Sequence, residues 1–102
     1  GQDPLALACR GRALERTARF DEARAAFAQL AEVAEDGLAA EALAELAKLA
    51  LRRGALEDAL RHCGAAEQRS AIALTGSRSA RLAHRTASVR SQAAKRGARA
   101  RA

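Results

Sequence analysis

Two pairs of cations recur four residues apart in the first half of the chain, Arg12 with Arg16 and Lys48 with Arg52. On a helix this spacing puts both members of a pair on one face, where they can grip the carboxylates of an acidic partner. Glu15, Glu41 and Glu45 lie close by and support the opposing reading, solvated helix charges neutralised by their neighbours. A second cationic set is denser. Residues 78–102 contain Arg78, Arg81, Arg85, Arg90, Lys95, Arg96, Arg99 and Arg101 and not one acid, a net +8, whereas residues 1–77 sum to −2. Such a run can contact phosphates, and affinity gained that way falls steeply with salt. No aromatic residue interleaves with these cations, which argues against base stacking, and no helix-turn-helix or RNA-binding signature is present to read bases. The competing readings are a solvated helix whose acidic counterpart lies elsewhere in a longer protein, or a disordered tail.

Catalytic chemistry finds little to work with. His62 and His84 are the only histidines, and neither stands in a motif with a nucleophile or in a metal-ligand pattern. His62 and Cys63 are adjacent, so on a helix they point about 100° apart and cannot face each other. Cys9 and Cys63 form no CxxC pair and read as isolated buried thiols, with Cys63 in the core. No phosphate-cradling glycine loop, nucleophile elbow or zinc-helix motif occurs. The expectation is a chain that is not an enzyme, with no cofactor and no bound metal.

The elements that would position these residues follow from composition. Of 102 residues, 30 are alanine and 13 leucine, with 2 valines, 1 isoleucine and 2 phenylalanines. Helix formers dominate and β-formers are scarce, which predicts an all-α fold. Nothing approaches the 18 or so unbroken apolar residues of a membrane span. No signal-peptide pattern is seen, so the expected setting is cytoplasmic. Gly1-Gln2-Asp3-Pro4 reads as a cloning remnant on a piece of a longer protein, and the Ala/Arg-rich composition suggests a bacterial one.

Breaks at Arg19-Phe20-Asp21, Glu35-Asp36-Gly37, Arg53-Gly54 and Thr75-Gly76-Ser77 divide the chain into helix-sized pieces. The first runs from Pro4, with Asp3 as its cap, to Ala18. The second starts at the acidic Asp21-Glu22 turn and ends near Asp36-Gly37. The third spans Leu38 to Arg53 and stops at Gly54; the fourth runs from Leu56 to Ala73, with Gly64 as a tolerated defect. A fifth, from Ser77 to about Arg96, has only Leu82, Ala83, Val89 and Ala93 to bury and is expected to fray.

Two segments align 36 residues apart. Leu7, Gly11, Leu14, Phe20, Ala23, Phe27 and Leu30 in the first correspond to Leu43, Ala47, Ala50, Leu56, Ala59, Cys63 and Ala66 in the second. Gly11 and Ala47 let the first helix of each hairpin approach the second, where Ala23 and Ala59 are the matching thin spots. With Arg19-Phe20-Asp21-Glu22-Ala23 and Gly54-Ala55-Leu56-Glu57-Asp58-Ala59 at the turns, residues 4–71 resemble tetratricopeptide repeats. The chain departs from that family at Arg10, where leucine is usual, in lacking Trp and Tyr, and in having Glu35 and Ala71 where a closing proline is customary. The longer period predicts two extra residues between the hairpins, around Asp36-Gly37-Leu38.

The resemblance implies antiparallel hairpins over residues 5–74, stacked as a short right-handed superhelix. Residues 77–97 then form a basic capping helix or truncated third repeat, and 98–102 a flexible basic tail. Two repeats are few for such an array, so either the fifth helix seals an open end or a second copy does, giving a homodimer. The resemblance also implies binding on a concave surface lined by Leu5, Ala8, Arg12 and Arg16 from one repeat and Glu41, Ala44, Lys48 and Arg52 from the next. The expected function is protein or peptide binding, to an acidic partner, through Arg12, Arg16, Lys48 and Arg52. The alternative is a self-assembly or regulatory module whose basic surface (Arg78, Arg81, Arg85, Arg90) touches nucleic acid or an acidic sister domain.

Overall fold

The computed structural model describes residues 3–73 and 75–101, and the side chains of 99–101 lie outside that description. The described residues form five α-helices and no strand: α1 (Pro4–Arg16), α2 (Phe20–Val33), α3 (Asp36–Arg53), α4 (Leu56–Ala73) and α5 (Gly76–Arg101). Local caps begin two of them. Asp3 caps α1, its carboxylate accepting from the Leu5 N–H at 3.1 Å, with Pro4 in the first turn. Of the expected remnant, Gly1 and Gln2 lie outside the described residues. Glu35 caps α3, accepting from the N–H groups of Gly37 and Leu38 at 2.9 and 2.8 Å. Those two bonds hold its carboxyl below the usual carboxylate range.

The period of 36 is present in the hydrogen bonds of the turns. Ala18 N–H donates to Glu15 and Arg19 N–H to Leu14; 36 residues on, Gly54 donates to Leu51 and Ala55 to Ala50. The next bond repeats as well, Ala23 to Arg19 and Ala59 to Ala55. Both turns thus close α1 and α3 with a left-handed residue. In the second it is Gly54 at φ 83°, in the first Ala18 at φ 59°. An alanine there carries a steric cost of roughly 1–2 kcal/mol that glycine does not. Ala18→Gly is therefore expected to stabilise the chain by about 0.5–1 kcal/mol, after the extra freedom of glycine in the unfolded chain is subtracted. Chemical denaturation checks this, and a loss of stability would show that Ala18 is not strained.

Small residues set the packing. Ala23, Ala47 and Ala59 are fully buried, and a Cβ on Gly11 would meet three atoms of the Phe27 ring at 2.7–2.9 Å. The thin spots expected from the repeat therefore lie in close contact surfaces. α3 is the centre of the fold, packing against α2, α4 and α5. Ten of its residues are buried, six of them alanines, so it is covered on nearly every side. One cluster joins Leu7, Leu14, Phe27 and Leu30 to Leu46 and Leu49. Two more hold α5: Leu82 meets Ala40, Ala44 and Ala66, while Val89 and Ala93 meet Ala47, Leu51, Ala59 and Cys63.

Several expectations are corrected. α1 stops at Arg16 instead of Ala18, because the reversal begins there. α2 ends at Val33, and α3 begins at Asp36, so Asp36-Gly37-Leu38 is the first turn of α3 and not an insertion between hairpins. The Glu35 cap makes this possible by satisfying two orphan N–H groups. α5 is one helix of 26 residues, reaching Arg101 where a break near 97 and a flexible tail were expected; Ala102 lies outside the described residues. Its buried stripe is Leu82, Thr86, Val89 and Ala93, and Ala83 is exposed. Cys63 is buried as expected, its thiol 3.7 Å from the Thr86 carbonyl and pushed up in pKa by burial, but Cys9 is exposed. No helix among the described residues is long and apolar enough to cross a membrane.

Candidate basic cleft

A cleft of about 680 Å³ runs between α3 and α5, with the α1–α2 corner at one end. Lys48 and Arg52 line it from α3, four residues apart; His84, Arg85, Ser88, Gln92 and Arg96 line it from α5. Val89, Leu49 and Phe20 supply apolar surface, and Glu15 is the one carboxylate in the lining among the described residues. The α5 contribution falls on a stripe, since Arg85, Ser88, Gln92 and Arg96 follow one another at three or four residues.

The cations are held by specific partners. The Arg52 guanidinium stacks on the Phe20 ring, 4.1 Å from its centroid, which fixes its plane, and it makes no ion pair among the described residues. Lys48 Nζ lies 3.2 Å from Glu45 Oε2 and 3.8 Å from Glu15 Oε2. Glu45 also pairs with Arg85, so its largely buried carboxylate has a cation from α3 and another from α5. Burial pulls the Arg85 guanidinium below its ordinary pKa, Glu41 and Glu15 oppose this, and Arg12 adds to it by repulsion. The Arg96 guanidinium donates to the Leu51 carbonyl at the end of α3, where the helix dipole favours a cation.

The expected single row of four groove cations is divided. Lys48 and Arg52 share the α3–α5 cleft, but Arg12 sits in a smaller neighbouring hollow with Arg78, Arg81 and Arg85, and Arg16 is exposed and lines neither. Helices α1, α3 and α5 contribute to both spaces, and Arg85 borders both. The basic C-terminal residues divide similarly. Arg78 pairs with Glu41 at 3.1 Å, Arg90 with Glu67 at 2.5 Å and Arg85 with Glu45, so three of the four find their acids within this chain. The hydrogen bond from Arg90 holds the Glu67 carboxyl below its usual range. Arg81 has no ion pair among the described residues, and the side chains of Arg99 and Arg101 lie outside them.

Residue spacing did not reveal the roles of Phe20 and Arg96. Arg96 reaches a carbonyl 45 positions away, a relation that only the path of α5 creates. By sequence Arg85 groups with Arg78, Arg81 and Arg90, and the Arg85-to-Arg96 stripe emerges only with the cleft. On the opposite side, His62 is half-buried beside Asp58 and Arg61, and burial lowers its pKa. Among the described residues no group of three or more His, Cys, Asp or Glu could hold a metal ion. Compared with known proteins, the chain has no significant match to a family model, a curated protein or a solved structure.

Proposed function

We propose that this chain is a non-catalytic interaction module that binds an acidic peptide segment in the cleft between α3 and α5. In this reading the two hairpins are tetratricopeptide-like, stack with a right-handed turn, and are closed by α5. The observation that carries it is the cleft lining: Lys48, Arg52, Arg85 and Arg96 line about 680 Å³ of space in which Glu15 is the lone carboxylate among the described residues. That volume is within the usual range for ligand sites, roughly 300–1,000 Å³. Phe20, Leu49 and Val89 between the charges suit apolar residues interspersed with acids. Arg52, pre-set by its stack on Phe20, loses little freedom when it takes a carboxylate.

The test is binding of a fluorescent glutamate-rich peptide at two salt concentrations. Lys48→Gln with Arg52→Gln is expected to weaken binding at least tenfold, and Arg16→Gln to leave it within about twofold. Glutamine is preferred to glutamate because a third acid beside Glu15 and Glu45 would confuse lost binding with lost folding. Absence of saturable binding, or equal binding by the double variant, would sink the proposal. The alternative, contact with nucleic acid through α5, draws on exposed Arg81 and Lys95, which make no ion pair among the described residues. It requires duplex binding that survives the Lys48/Arg52 changes and falls with Arg81→Gln plus Lys95→Gln.

A further inference from the structure

Next to the cleft, on the other side of Arg85, a hollow of about 200 Å³ is lined by Arg12, Glu41, Arg78, Arg81, Leu82 and Arg85. Four guanidiniums from two helices converge here with one carboxylate from a third. Two of the four are already committed: Arg78 to Glu41, with both Nε and Nη2 near Oε1 at 3.3 and 3.1 Å, and Arg85 to Glu45. Arg12 and Arg81 have no ion pair among the described residues, and they border the same space. We propose that this hollow is a binding site for a tetrahedral oxyanion of the phosphate or sulfate class, held by Arg12 and Arg81 with Arg78 and Arg85 behind them.

Three independent features support the assignment. The first is geometric. Arg12 on α1 and Arg81 on α5 both line one small space, and planar donor forks from two helices suit the several oxygens of a tetrahedral anion better than the two of a carboxylate. The second is electrostatic. Arg12 repels the charge on Arg85, adding to the larger effect of burial on that guanidinium, and a bound anion would relieve the repulsion. The third lies in the helix. α5 has no acidic residue in its first turn, so no carboxylate at the start of its own helix offsets Arg78 and Arg81. The volume accommodates such an anion with a few waters, given about 30 Å³ per water in the liquid.

This site does not depend on the peptide reading of the larger cleft. It shares Arg85 with that cleft, but its distinguishing residues, Arg12 and Arg81, are not part of the cleft lining. The two proposals can therefore fail separately.

Titration calorimetry and amide chemical-shift mapping at fixed ionic strength test it, with inorganic phosphate, inorganic sulfate and O-phosphoserine as probes and chloride as the reference. Saturable binding of phosphate or sulfate is expected, with shifts centred on residues 12, 41 and 78–85. Arg12→Gln with Arg81→Gln should weaken it at least tenfold, each single change should weaken it partway, and Arg12→Lys with Arg81→Lys should retain part of it. Lys48→Gln with Arg52→Gln should leave it within about twofold. Comparable binding of O-phosphoserine would identify a phosphoryl group carried on a larger molecule as a ligand, whereas exclusion of it would restrict the site to the free anion. No saturable binding by any of the three probes, equal shifts with chloride, or unchanged affinity in the Arg12/Arg81 glutamine variant would overturn the proposal. The substituted side chains are exposed, and a far-ultraviolet dichroism spectrum confirms that the variants remain folded.

Discussion

Replacing Phe27 by alanine is expected to cost about 3–5 kcal/mol and to lower the melting temperature by roughly 15–30 °C. Phe27 is 2% exposed and is the largest of the fully buried side chains. Its ring fills the space that Gly11 leaves on α1, so the cost includes both lost burial and a cavity between α1 and α2. The same contact makes a second, opposite result available. Gly11→Ala places a methyl group 2.7–2.9 Å from three ring atoms, and the ring has little room to retreat. In the native background this overpacking should destabilise by about 1–2 kcal/mol even though alanine is the better helix former. In the Phe27→Ala background the obstacle is gone, and Gly11→Ala should instead stabilise by up to about 1 kcal/mol. A double-mutant cycle read by urea denaturation checks both signs. Additive effects would mean that Gly11 is small for some reason other than the ring.

The close approach at Gly11 was legible in the sequence because it obeys a local rule, although the sequence set Ala23 opposite Gly11 and the structure sets the Phe27 ring there. Gly11 and Ala47 recur at the repeat spacing with Ala23 and Ala59 opposite them, and a small residue recurring at a fixed spacing marks a close approach of helices from the chain alone. The helix class was legible for a similar reason, since an Ala- and Leu-rich chain with three β-branched aliphatics has few other choices. The Glu35 cap was not foreseen. Glutamate is not among the usual capping residues, and the Asp36-Gly37 pair reads as a break when it is in fact the first turn of α3. The exposure of Cys9 was missed because a thiol on an Ala-rich helix carries no sign of which face it occupies. The charges were hardest. Arg12, Arg16, Lys48 and Arg52 share a register in the repeat, but where they lie in space depends on where α5 runs, and Glu41, Glu45 and Glu67 pair with arginines 23 to 40 residues away. Sequence shows which side chains share a helical face; it does not show which helix comes to cover that face.

Because α5 covers that face, removing it is expected to do more than expose a surface. Deleting residues 76–102 takes away Leu82 and Val89, 2% and 4% exposed, along with Thr86 at 1% and Ala93 at 3%. Two large apolar side chains at about 1.5–3 kcal/mol each contribute roughly 3–6 kcal/mol. Ala40, Ala44, Ala47, Cys63 and Ala66 on α3 and α4 lose their cover at the same time. Glu45 is left with Lys48 and Glu15 nearby and no Arg85, and Glu41 and Glu67 lose Arg78 and Arg90. The sum is comparable to the whole stability of a domain this size, about 5–15 kcal/mol. The truncated chain should therefore melt at least about 15 °C lower, or lose cooperative unfolding and bind a hydrophobic dye. Leu82→Ala with Val89→Ala, which keeps every ion pair, should reproduce only the apolar part of that loss. An unaltered melting curve after truncation would mean that α5 is a passenger, and the cleft it walls would then have no fixed shape. The expected result also sets how binding must be measured. Loss of binding on truncation cannot separate a ligand held by α5 from one held by the cleft, because α5 supplies Arg85, Ser88, Gln92 and Arg96 to that cleft. Only side-chain substitutions that leave α5 docked, at Lys48 and Arg52 on one side or Arg12 and Arg81 on the other, assign a ligand to its site.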